Sequence, residues 1–239
     1  MSSTDHRTPV TPIAGVLAVA AAFAYAMPAL AGAWPPLRRP LGVQDSTSTG
    51  EGYALTFDDG PHAQGTPAVL EILAAREVRA TFFLVGEQVR RDPALALAIA
   101  DAGHEIALHC DRHRNLLRLT PWQVGEDLAR ALDAIESATG RTPRLYRPPY
   151  GVLNAAALLI ARERGYRTML WSHWGRDWEA KATAESITSL VTHGTGEGSV
   201  LLLHDADDYS APGSWRRTAR ALPRVLAGMA ERGLAPTMP

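Results

Sequence analysis

A chain of 239 residues, 46% hydrophobic and 21% charged, has material for one substantial core and too little length for several domains. Its formal net charge is -1, and it has no basic run and no interleaved aromatic stripe, which leaves no electrostatic case for nucleic acid as a partner. A single cysteine, Cys110, excludes an intrachain disulfide framework, so stability must come from the core and from any metal the fold holds.

The N-terminus stands apart. No charged residue occurs from Thr8 to Leu37, and Ile13 to Ala33 is rich in Ala, Val and Leu. Arg7 precedes the run, and Ala29-Leu30-Ala31 or Ala31-Gly32-Ala33 offers a small-x-small cleavage pattern. The run is also long enough to span a bilayer uncleaved. Arg7 on one side and Arg38 and Arg39 on the other orient it only weakly. With no cysteine directly behind it, a lipoprotein anchor is excluded. Residues 1–40 are therefore expected to be a signal peptide or a membrane anchor, with 12–33 as the tether if it is retained. The protein is expected to be exported, either secreted or held at the cell surface. Residues 41–52, rich in Ser, Thr and Gly, read as a linker to one domain over 53–239.

From Tyr53 onward, strand-like and helix-like segments alternate, the pattern of an α/β fold with parallel strands. Tyr53 to Phe57 is the first strand. Thr66-Pro67 opens a helix, with Thr as N-cap and Pro at the first position. Ala80 to Val85 is a strand, Pro93 to Ala102 a helix stopped by Gly103, and Glu105 to Leu108 a strand running into His109. Thr120-Pro121-Trp122-Gln123 has a capping-box pattern and starts a helix to about Thr139, closed by Gly140. A short strand ends at Arg147, Asn154 to Arg164 is helical, and Arg167 to Trp171 is a strand. Thr183 to His193 is a helix, and Ser199 to Leu203 is a continuous apolar run suited to a buried parallel strand. The last helix is expected over Thr218 to Arg232, with Pro223 in its first turns.

Polar residues collect at one kind of position. Asp58, Asp59, His109, Arg147 and His204 fall at the C-terminal ends of expected strands, and Asp177 lies a few residues past another. Parallel strands bring those ends to one face, where active sites are built. His109 and His113 stand at i and i+4, a spacing that on a helical turn lets two imidazoles grip one metal ion. Asp58 or Asp59 could add a third ligand, leaving the other carboxylate as a base. Two His, one carboxylate and an open position form a hydrolytic zinc pattern.

Thr56-Phe57-Asp58-Asp59-Gly60-Pro61, His109 with His113, Arg147-Pro148-Pro149-Tyr150-Gly151, Asp177-Trp178 and Leu202-Leu203-His204-Asp205 resemble the five ordered motifs of the polysaccharide deacetylases (NodB homology, carbohydrate esterase family 4). The resemblance covers roughly Tyr53 to Pro236 and implies an irregular (β/α) barrel. It further implies that Asp59, His109 and His113 hold one divalent ion, zinc or else cobalt or nickel, with Asp58 as general base oriented by Arg147. Tyr150 would offer its backbone N–H to the oxyanion, His204 would protonate the leaving amine with Asp177 behind it, and Trp178 and Leu202 would line a pocket for the acetyl methyl. Such chemistry meets the needs of amide hydrolysis: an activated water, charge stabilisation and an acid for the amine.

The implied activity is metal-dependent removal of N-acetyl groups from a cell-wall or related polysaccharide such as peptidoglycan or chitin. Two alternatives remain open to the sequence: a non-catalytic carbohydrate-binding module on the same scaffold, and a deacylase of a non-carbohydrate amide. Cys110 stands where the family usually has Ser or Thr, and Trp174 where many members carry an acid.

Overall fold

The computed structural model describes residues 11–239; the Arg7 flank of the apolar segment lies outside the described residues. The apolar segment forms α1 (Thr11–Ala26), a 3-10 turn and α2 (Leu30–Ala33). Strands β1 (Val43–Gln44), β2 (Tyr53–Asp58), β3 (Thr81–Val85), β4 (Glu105–Cys110) and β5 (Leu145–Tyr146) follow in the first two thirds of the chain. Interleaved with them are α3 (Gly65–Ala75), α4 (Gly86–Arg91), α5 (Pro93–Asp101) and α6 (Pro121–Thr139). The remainder comprises α7 (Ala155–Glu163), β6 (Arg167–Met169), β7 (His173–Trp174), α8 (Ala184–Thr192), β8 (Ser199–His204), α9 (Ser214–Glu231) and β9 (Pro236–Thr237).

Every named strand pairing is parallel, in the order β1-β6-β5-β4-β3-β2-β8-β7, with β9 added to the start of β2. The sheet curls into a half-barrel with helices around it, the irregular (β/α) barrel expected from the sequence.

Alternation along the strands sorts residues between two layers. Tyr53, Leu55 and Phe57 of β2, Ile106 and Leu108 of β4, and Leu201 and Leu203 of β8 join the large core under the helices. The opposite parity supplies a small inner cluster of Ala54, Phe83, Ala107, Leu145, Met169 and Val200. Continuing that inner parity leads to Asp58, His109, Arg147 and His204. Two apolar layers thus carry four ionisable side chains to the same mouth. Asp58 and His204 are register partners at the ends of adjacent strands.

Several local expectations are corrected. Thr66 does not cap α3: its hydroxyl donates to Asp205 Oδ2 at 2.5 Å and accepts from His62 N at 2.8 Å, so Gln64 takes the N-cap position without a side-chain bond. A tertiary partner has outcompeted the local one. Within the expected linker, Val43–Gln44 pairs with β6 and Val43 is buried, so the folded unit begins upstream of Tyr53. The strand expected to reach Trp171 stops at Met169, and β7 forms only because His173 and Trp174 pair with Leu201 and Leu202. The last helix begins at Ser214, which leaves Pro223 in its interior. His109 and His113 are not on a helical turn; the first is the next-to-last residue of a strand and the second lies in the loop that follows.

Candidate active site

Asp58 and Asp59 are consecutive yet face different partners. Asp59 has φ 81°, a left-handed conformation that costs a non-glycine residue energy and turns its carboxylate away from the strand's alternation. Asp58 keeps the inward direction and accepts a hydrogen bond from Arg147 Nη1 at 2.7 Å. That arginine has no exposed surface. Its guanidinium also donates to Thr56 Oγ1 and to the Met169 and Leu170 carbonyls, and it lies 3.9 Å from the Phe83 ring centroid. A buried cation of this kind is tolerable only with such partners.

Asp59 Oδ1 lies 3.4 Å from His109 Nε2 and 3.4 Å from His113 Nε2. Zinc bonds of about 2.0–2.1 Å in tetrahedral geometry separate neighbouring ligand atoms by about 3.3 Å, so the set has the spacing of three ligands to one ion. His109 Nδ1 is 2.7 Å from the Arg147 carbonyl, which can only accept; the ring therefore carries its proton there and keeps a lone pair on Nε2. His113 is held by rings instead, stacked on Tyr209 at 4.6 Å and edge-on to Tyr150 at 4.4 Å. Burial disfavours its charged form and lowers its pKa to about 4, despite Asp59 nearby. Burial alone would raise Asp59, but the imidazoles of His109, His204 and His113 around it hold its carboxyl well below the usual range. Asp59 Oδ1 is buried with no hydrogen-bond partner among the described residues. An orphaned oxygen beside two free imidazole nitrogens fits a cation.

Across the cleft, Asp177 Oδ1 is 2.9 Å from His204 Nδ1, while Oδ2 accepts from His204 N and from Thr218 Oγ1, each at 2.7 Å. Burial disfavours the imidazolium, yet the Asp177 charge and hydrogen bond outweigh it and raise the His204 pKa to about 10. His204 Nε2 points toward the first cluster, 3.9 Å from Asp59 Oδ2. Trp178 packs edge-on against the His204 ring at 5.4 Å.

These residues line a cleft of about 220 Å³. Asp58, Asp59, His109, His113, Tyr150, Trp178, Leu202 and His204 are all at its wall, whereas Arg147 and Asp177 stand behind it, bonded to Asp58 and His204. Tyr150 is more than half exposed and has φ 59°, on a turn closed by Gly151 at φ 67°. Cys110 shares the parity of Ile106 and Leu108, is buried, and has a thiol pKa raised by burial and by nearby carboxylates.

Sequence reasoning missed three parts of the cleft wall: Trp171, Tyr209 and Ser210. The loop carrying Tyr209 and Ser210 follows the end of β8, so the strand-end rule could have found it. Asp127 was also missed. From α6 it accepts from Asp111 N at 2.8 Å, Arg112 N at 3.3 Å and Arg114 Nη2 at 2.6 Å, fixing the loop between the two imidazoles. Nothing in its local sequence distinguishes it from a solvated helix position.

Residues 45–169 match the polysaccharide deacetylase family. A peptidoglycan-N-acetylglucosamine deacetylase of Bacillus cereus is 35% identical over 75% of this chain and 82% of its own length. A chitooligosaccharide deacetylase of Bradyrhizobium is 36% identical over 75% of this chain and 84% of its own. Among solved structures, the Bc1960 peptidoglycan N-acetylglucosamine deacetylase in complex with an N-hydroxybenzamide superposes with a TM-score of 0.79 at 28% identity, covering 86% of this chain and 95% of that one. Fold and relatives together define a hydrolase class built on a parallel half-barrel and directed at N-acetyl amide bonds. The chain belongs to the polysaccharide deacetylase family.

Proposed function

We propose that the protein is an exported, metal-dependent deacetylase that hydrolyses N-acetyl groups on a cell-wall or related glycan of the peptidoglycan or chitin kind. Residues 1–40 serve export, as a signal or an anchor, and the enzyme works secreted or at the cell surface. The observation that carries the reading is the bracketing of the Asp59–His109–His113 cluster by a carboxylate held by a buried arginine and an imidazole held by a buried carboxylate.

Asp59, His109 and His113 hold the divalent ion, zinc by the chemistry of the donor set. Such an ion supplies Lewis-acid polarisation and makes water easier to deprotonate. Asp58 accepts the proton from the attacking water. Arg147, bonded to Asp58 Oδ1, keeps that carboxylate aimed without touching substrate. The backbone N–H of Tyr150 donates to the developing oxyanion. His204, kept as imidazolium by Asp177, delivers its Nε2 proton to the departing amine. Trp178 and Leu202 offer the apolar wall for the acetyl methyl.

The test is acetate release by the purified protein from a panel of N-acetylated glycans (peptidoglycan, chitin oligomers and soluble N-acetylglucosamine polymers), with and without chelator. Release from at least one polymer, abolished by chelator and restored by zinc, is expected. A protein that binds these glycans and releases no acetate from any of them under either condition contradicts the reading.

A further inference from the structure

We propose that Tyr25–Arg38 is a built-in strut of the catalytic barrel, and that the apolar segment is therefore retained, with the exposed part of α1 embedded in a lipid bilayer next to the cleft. The segment does not hang free of the domain. Tyr25 donates its hydroxyl to the Leu119 carbonyl at 2.6 Å and accepts from Asn154 Nδ2 at 2.8 Å. The same Asn154 Nδ2 donates to the Leu116 carbonyl, and its Oδ1 caps α7. Tyr25 thereby joins the turn that follows His113. Pro28 and Ala31 are buried, and Gly32 lies so close to the Gly151 carbonyl that a Cβ there would sit 2.9 Å from the oxygen. Gly151 is the residue that completes the Tyr150 turn.

Arg38 closes the strut. Although charged, it is buried, and it donates to Ala31 O at 2.9 Å, Gly32 O at 3.3 Å, Trp171 O at 2.9 Å and Asp45 Oδ2 at 2.7 Å. Two of these acceptors are carbonyls at the end of α2, which a helix terminus leaves without partners. The third belongs to Trp171 in the cleft wall. Three separate supports of the cleft (the turn after His113, the Tyr150–Gly151 turn and Trp171) thus touch one N-terminal segment. Cleavage after Ala31 or Ala33 would remove Tyr25, Pro28 and Ala31, and would leave Arg38 with fewer acceptors in a buried place.

Ahead of the strut, the situation reverses. Val16, Leu17, Val19 and Phe23 are each 64–71% exposed, and the apolar run that continues into the strut, Ala14–Ala33, has mean hydropathy 1.9. Thr11–Ala26 has no charged residue on any side, so it lacks the polar face that a helix lying on a membrane surface presents. Hydrocarbon can cover it all round. The part of α1 ahead of Tyr25, Thr11 to Ala24, is about 21 Å of helix, which reaches most of the way through the roughly 30 Å of a bilayer core. Exposed Trp34, with Arg39 beyond, supplies the aromatic and basic residues typical of the interface.

The test uses the full chain expressed in a bacterium and two readouts independent of catalysis, so failure of the deacetylase reading leaves it standing. First, peptides covering Tyr25–Arg38 are expected in the mature protein, which should stay with membranes through a carbonate wash and insert into phosphatidylcholine vesicles. A soluble mature chain beginning at Gly32 or Trp34 overturns retention. A full chain that self-associates in solution and leaves vesicles untouched overturns the bilayer as occupant. Second, Arg38→Ala and Tyr25→Phe should raise backbone hydrogen exchange at least tenfold at 116–119 and, for Arg38→Ala, at 150–152, with exchange in β3 and β8 unchanged. Should Arg38→Ala fail to accumulate, Tyr25→Phe, which removes a single oxygen, decides alone. Exchange at wild-type rates in Tyr25→Phe overturns the strut.

Discussion

Two carboxylate–imidazole groups face each other across the cleft, and they differ in one respect. Asp177 is saturated, accepting from His204 Nδ1, His204 N and Thr218 Oγ1, and the imidazole it holds is pushed up to about 10. Asp59, His109 and His113 are left short, with Asp59 Oδ1 and His113 Nδ1 both buried without hydrogen-bond partners among the described residues and His113 pushed down to about 4. The same residue types therefore take opposite roles. Where both carboxylate oxygens are bonded and one of those bonds comes from the ring, the arrangement suits a proton carrier. Where two imidazoles converge on an unpaired buried carboxylate oxygen, the cluster suits a cation.

The strongest way to break this contrast is to dismantle the unsaturated side. His113→Ala should lose stoichiometric zinc binding and all measurable turnover while keeping its far-UV circular dichroism, because the removed ring packs against Tyr150 and Tyr209 at the cleft rather than in the main core. Metal analysis of the purified variant checks this; one ion per chain would contradict it.

Next come the proton carriers. Asp58→Asn and His204→Ala should each retain the metal and lose turnover by on the order of 10²-fold or more, as expected for general acid–base groups. Steady-state rates with zinc content measured in parallel separate this from a ligand defect.

A finer probe removes only the partner of His204. The folded pKa is raised because the imidazolium gains the Asp177 charge, so the acid form is present below about 10 and is lost as pH rises through it. Asp177→Asn should therefore move the alkaline limb of kcat/KM to lower pH, by about 1–3 units for loss of an adjacent opposite charge. An unmoved limb would mean that the limb belongs to another group.

The smallest effect concerns Cys110, which is buried beside a proposed ligand. Cys110→Ser should keep zinc affinity and activity and change stability by only about 1 kcal/mol, the scale of one buried hydroxyl exchange. Thermal melts and slow alkylation in both apo and zinc-loaded protein check it.

Much of this was legible in the sequence because strand alternation and strand-end position are local signals. Asp58, His109, Arg147 and His204 could be assigned to one mouth from their place after apolar runs alone. Asp127 could not, since its value lies in three partners contributed by a loop more than ten residues away. Thr66 misled for a related reason: a good local N-cap was taken up by Asp205 from the far end of the chain. Strand β7 carries no pattern of its own and exists by pairing with β8.

The most direct measurement is a zinc titration of the protein with nitrogen-labelled histidine, followed by imidazole resonances. One equivalent should shift the Nε2 signals of His109 and His113 at a sharp endpoint, while His204 stays an imidazolium throughout at neutral pH. Displacement of the His204 resonance to that of a ligated neutral ring, or the lack of any one-equivalent endpoint at His109 and His113, would contradict the division of the cleft into a metal side and a proton side.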